Sequence, residues 1–175
     1  MIKMPAKTVE TSVNRKTISD RDRKRMAFID MIVSLKVPDT TAITALQTLQ
    51  KIGFSKINDV KRADYYKFLV EGDEEKFKSQ ICRVDILVNA NKHSCSFSIS
   101  KDNMVKVLVK NINDDGSGIL STLKNRLGFK NIKKIEKSIL WSLSIDADEN
   151  EARKIAEKAA KELLVNEHYQ EYEIL

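Results

Sequence analysis

From Ala27 onward, apolar and polar positions follow two periods that change over at regular intervals. Ile29, Met31, Val33 and Leu35 alternate with Phe28, Asp30, Ile32 and Ser34, the pattern of a strand with one buried face. Pro38-Asp39-Thr40 breaks that run, and Ala42, Ala45, Leu46, Leu49 and Ile52 then mark one helical face up to Gly53. Two short strand-like runs come next, Ile57–Arg62 and Tyr65–Val70, with a polar turn expected around Ala63-Asp64. Asp73 opens a second helix whose stripe is Phe77, Ile81, Val84 and Val88. A polar loop after Asn89 leads to a short strand over Cys95–Ile99.

The same order then recurs. Val105, Val107 and Val109 share one strand face, and the loop Asn113–Gly118 precedes a helix carrying Leu120, Leu123 and Leu127. Ile132 and Ile135 mark one strand, and Ile139, Trp141, Leu143 and Ile145 the next, with Lys137 and Ser138 at the hairpin turn between them. Asp148 and Glu151 have capping-box spacing before a long face of Ala152, Ile155, Ala156, Ala159, Ala160, Leu163 and Leu164. Tyr172 and Ile174 lie on one side of a final strand.

The recurrence reads as a tandem duplication. Gly53-Phe54 lies 75 residues before Gly128-Phe129, and at that offset Ile57, Val60, Tyr66, Phe68 and Val70 fall on Ile132, Ile135, Trp141, Leu143 and Ile145. The expected fold is α+β: two β-α-β-β-α-β units of ferredoxin-like type, over 26–101 and 102–175, each a small antiparallel sheet with two helices on one face. The off-face residues Tyr65, Leu69 and Leu140 point to sheet-to-sheet association, first between the repeats and then between chains.

The net charge of +6 changes this picture little, because it is concentrated at one end. Met1–Arg25 carries eight basic residues against three acidic ones and has no apolar periodicity, so it is expected to be a disordered basic tail. The remainder is nearly neutral, which argues against nucleic acid as a partner. No apolar run reaches the ~18 residues of a membrane span. Cys82 and Cys95 belong to no CxxC or Cys/His cluster, and reduced thiols in a cytoplasmic protein are expected.

Catalytic signatures are missing from the sequence. It holds no P-loop, GxGxxG, HExxH or GxSxG pattern and no spaced set of metal ligands. His93 and His168 do not occupy equivalent positions in the repeat. Asp114-Asp115 and Glu149–Glu151 are explained as helix N-terminal charges, and Gly116–Gly118 as a flexible turn. Trp141, Tyr65, Tyr66 and Phe68 read as core.

The second unit also resembles a known family. LKNRLGF (123–129), NIKKIEKSILWSLSIDA (131–147) and KELLVNEHYQEYEIL (161–175) are similar to the PurS-type small subunit of phosphoribosylformylglycinamidine (FGAM) synthase. The chain departs from that pattern in reading Asp114-Asp115-Gly116 where the family has Asp-Pro, and Asn166-Glu167 where it has Asn-Pro. The resemblance implies an accessory subunit of a glutamine-dependent carbon–nitrogen ligase in purine biosynthesis, with no catalytic residues or cofactors of its own. ATP and glutamine would be handled by a large synthetase subunit and a glutaminase subunit, which this chain would bridge while assisting ammonia transfer. A homodimer of four units is expected, and the candidate partner contacts, chosen as exposed loop and turn residues, are Asp114, Asp115, Lys137, Ser138, Glu167, His168 and Tyr169. The competing expectation is a tandem ACT-like module that binds a small ligand through its glycine-containing loop.

Overall fold

The computed structural model describes residues 25–114 and 116–175. The first unit comprises β1 (Met26–Leu35), α1 (Thr40–Lys51), β2 (Ile57–Glu71), α2 (Glu74–Ile81) and β3 (His93–Ser96). The second comprises β4 (Val105–Asn111), α3 (Ser117–Asn125), β5 (Ile132–Ile145), α4 (Glu149–Ala159) with a π-helical turn at Ala160–Leu164, and β6 (Gln170–Ile174). Three of the helices start where an aspartate supplies the cap. Asp39 accepts from the Thr41 N–H at 2.8 Å, Asp73 from Lys76 at 3.0 Å and Asp148 from Glu151 at 3.0 Å.

The α+β class and the antiparallel sheet agree with the sequence, but two expected hairpins are absent. β2 runs unbroken for 15 residues through Ala63 and Asp64, and β5 runs for 14 through Lys137 and Ser138. Both supposed turns are held in ladders. Ala63 pairs with Ser34 on one side and Leu140 on the other, and Asp64 pairs with Val33 and Ile139. A polar dipeptide is tolerated in mid-strand here because Arg62 lies 3.5 Å from the Asp64 carboxylate. Each unit is therefore β-α-β-α-β.

The two units join edge to edge rather than sheet to sheet. β2 pairs with β5, giving one six-stranded sheet in the order β3-β1-β2-β5-β4-β6, with every pairing antiparallel. All four helices pack on one face, and the two cores beneath them are shared between the units. One core sets Phe77 and Ile81 of α2 with Leu123 of α3 over Met31, Phe68 and Ile135. The other sets Leu49 of α1 with Ala156 and Ala159 of α4 over Val60, Val107, Trp141 and Leu143. Each core thus takes one helix from each repeat.

Three local departures follow from this packing. α2 stops at Ile81, although Val84 and Val88 are buried as the stripe requires. They reach the core through consecutive turns, in which the Leu87 and Val88 N–H groups both donate to the Val84 carbonyl at 2.9 Å. α4 ends in the π turn, closed by the Val165 N–H donating to the Ala160 carbonyl at 2.9 Å, and Leu164 and Val165 are both buried there. Cys82 and Cys95 form a disulfide, which corrects the expectation of reduced thiols. The end of α2 and the edge strand β3 pack on the same core and bring the two Cα atoms to 6.2 Å, within bridging range. No helix among the described residues is long and apolar enough to cross a membrane.

Candidate interface site

The β2–β5 ladder puts polar groups at the centre of the helix face, between the two cores. Arg62 stands opposite Trp141 and Lys137 opposite Tyr66, one pair on each side of the central pair Asp64–Ile139. Arg62 is 28% exposed at its side chain and lies 3.6 Å from Asp39 and 3.5 Å from Asp64. Lys137 holds its Nζ 6.0 Å from the centroid of the Tyr66 ring. Arg62, Asp64, Asn111, Asp114, Lys137 and Ser138 surround a small cavity of about 110 Å³ at this point.

The structure thus brings Asp114, Lys137 and Ser138 together, but not at a turn. Lys137 and Ser138 are mid-strand residues of β5, and Ser138 is buried. Asp114 belongs to the loop after β4, where its carboxylate accepts from the Gly116 N–H at 3.0 Å. Gly116 has a packing reason to be glycine. Its φ is +70°, and a Cβ there would sit 2.7 Å from the Ile135 carbonyl oxygen. That explanation leaves the ligand-binding reading of this loop without a specific observation. Asp115 lies outside the described residues.

Glu167, His168 and Tyr169 form an exposed loop between the π turn and β6. Asn166 shapes it by accepting from the His168 N–H at its side chain, 3.2 Å, and from the Tyr169 N–H at its carbonyl, 2.9 Å. The loop is tied to the Asp114 loop, because the Ile112 N–H donates to the Tyr169 carbonyl at 2.9 Å and Gln170 Nε2 donates to Asn111 Oδ1 at 2.9 Å. Ile112 is 56% exposed and Tyr169 63%, so two large side chains protrude beside acidic Asp114 and Glu167. Six of the seven residues expected at an interface therefore fall into two neighbouring groups, a polar pit and a protruding loop pair.

Sequence reasoning missed Arg62, Asp64 and Asn111. The available signal was the repeat itself, since Arg62 precedes Lys137 by the same 75 residues that relate the core positions. His93 has a structural role, its Nδ1 accepting from the Asn89 N–H at 3.1 Å. Glu151 does not close a reciprocal capping box; its carboxylate takes Lys56 Nζ at 2.6 Å. Among the described residues, no group of three His, Cys, Asp or Glu side chains is placed to hold a metal ion.

A comparison with curated proteins gives no match. Residues 104–175 match the family model PurS, described as phosphoribosylformylglycinamidine (FGAM) synthase. That span runs from the residue before β4 to the C-terminus, taking in α3, β5, α4 and β6, and it covers less than half of the chain. The second repeat is therefore similar to the PurS family along its whole length.

Proposed function

We propose that the chain is an accessory subunit of FGAM synthase in purine biosynthesis. In this reading it bridges a large synthetase subunit and a glutaminase subunit in the cytoplasm and helps ammonia pass between them. The observation that carries the proposal is the PurS match across all elements of the second repeat. The fold supports it in a second way: the first repeat completes the sheet and both cores of the matched unit, so one chain presents a paired body. Partner contact is assigned to the end of the sheet where Asp114, Glu167, His168 and Tyr169 stand out beside Ile112. ATP and glutamine chemistry belongs to the partner subunits.

The test is amidine formation by purified synthetase and glutaminase subunits, with and without this chain, supplied with either glutamine or free ammonia. The bridging role requires that glutamine-dependent turnover need the chain while ammonia-dependent turnover barely change. Loss of neither activity, with no stable complex, would reject it. Tyr169→Ala with Ile112→Ser should then weaken assembly without changing the thermal stability of the isolated chain.

A further inference from the structure

The middle of the sheet face away from the helices is buried within a single chain, while Phe28 at one end of it is 66% exposed. Ile32 is 7% exposed, Ala63 9%, Tyr65 5% and Leu140 4%, and these side chains form a third cluster to which no helix contributes. Among the described residues, the segment between β3 and β4 is the connection that passes over them. β3 lies at one edge of the sheet and β4 beyond β1, β2 and β5, so residues 97–104 must cross three strands. Four strand spacings are about 19 Å, and eight extended residues reach at most about 28 Å. The segment is therefore long enough to cross without being fully extended.

Ile99 lands on the cluster, and the far end of the crossing is pinned. Lys106 on β4 is only 6% exposed, and its Nζ donates to Asp102 Oδ1 at 2.6 Å and to Ser100 Oγ at 3.2 Å. Ser100 Oγ donates to the other Asp102 oxygen at 2.8 Å, and the Met104 N–H donates to Asp102 Oδ1 at 3.2 Å. A lysine buried on a sheet face is costly unless paired, and the strap supplies the pair. Ile99 also lines two clefts, of about 570 and 560 Å³.

We propose that this strap takes the place of a second sheet over the middle of the open face, covering its apolar cluster within one chain, so that copies and partners meet the protein at its edges and loops instead. A four-unit homodimer packed sheet to sheet would need Ile32, Tyr65 and Leu140 to be accessible, and the strap occupies that space. Released from its pin, the face becomes a self-complementary apolar surface, and a second copy of the chain is the occupant it fits.

The experiment compares the full chain with the double variant Ile99→Glu, Asp102→Ala by light scattering over a wide concentration range and by binding of a hydrophobic dye. The wild type is expected at the mass of one chain with little dye bound. The variant should bind severalfold more dye and self-associate. A wild-type dimer whose β2 and β5 amides lose protection on dilution would overturn the proposal, as would a variant with wild-type dye binding. Emission from Trp141, on the helix face, reports whether the variant has kept its cores. If it has not, a chain with a protease site placed between Lys101 and Asp102 and cut after folding decides the matter: more dye on cleavage supports the strap, and unchanged dye overturns it.

Discussion

Asp64 and Ile139 face each other across the β2–β5 ladder and are also 75 residues apart, the spacing of the repeat. The positions that recur at this spacing are therefore centred on this pair, which sets a carboxylate against a methyl-bearing side chain. Arg62 is the residue that makes the carboxylate tolerable. Replacing Arg62 with Met leaves Asp39, 12% exposed at its side chain, and Asp64 without their cation. The expected loss is roughly 1–3 kcal/mol, measured by urea unfolding. In that background Asp39→Asn removes the charge and keeps the cap, so it should restore part of the loss; simple additivity in the cycle would refute the coupling.

Two glycines two residues apart should respond in opposite directions. Gly116→Ala places a Cβ against the Ile135 carbonyl at positive φ and is expected to destabilise by at least about 2 kcal/mol. Gly118 lies inside α3 with nothing within 4 Å of an added Cβ, so Gly118→Ala should stabilise by about 0.5–1 kcal/mol. Melting curves of the two variants check both signs.

The Cys82–Cys95 bond closes a loop of sequence separation 13 and ties β3 to the end of α2. Opening it with a dithiol reductant, or by replacing both cysteines with serine, should lower unfolding stability by about 2–3 kcal/mol. Hydrogen exchange should locate the loosening in β3 before the central strands. Equal stability with and without reductant would show that the bridge constrains nothing.

Alkaline pH should destabilise the fold through two adjacent tyrosines. Burial raises the Tyr66 phenol to about 12. Burial raises Tyr65 as well, assisted by its hydrogen bond to Asp30 at 2.7 Å. The folded state holds both phenols neutral, while the unfolded chain ionises them near 10. Their contribution is therefore complete below about pH 10 and is lost as pH rises through about 12. Urea midpoints should decline over that window, less steeply in Tyr65→Phe and Tyr66→Phe. A decline unchanged in both variants would assign the effect to other groups.

Strands and helices whose apolar residues recur at a fixed period, such as Ile29–Val33 and Ala152–Ala160, were legible because the period reports burial directly. Ala63-Asp64 and Lys137-Ser138 were misread as turns because strand continuity depends on neighbours that local sequence does not display. The pairing of Cys82 with Cys95 was invisible for the same reason, since the contact is made by α2 and β3 meeting on one core. Of the site, Asp114 and the Glu167–Tyr169 loop could be picked out as exposed loop residues. Arg62 was passed over, because a cation in mid-strand looks solvated until Asp39 is brought across to it, and its one signal was the 75-residue spacing from Lys137.

The sharing of each core between the repeats has a kinetic consequence. Ile57 pairs with Ile145 and Val70 with Ile132, so the central ladder forms only after a long loop has closed. α1 waits for α4 and α2 waits for α3, which leaves neither repeat a core to complete by itself. A chain so rich in distant contacts is expected to fold in milliseconds to seconds rather than microseconds. During synthesis the first repeat emerges with β2 unpaired on its inner edge and half of each core uncovered, an aggregation-prone interval that lasts until the second repeat leaves the ribosome.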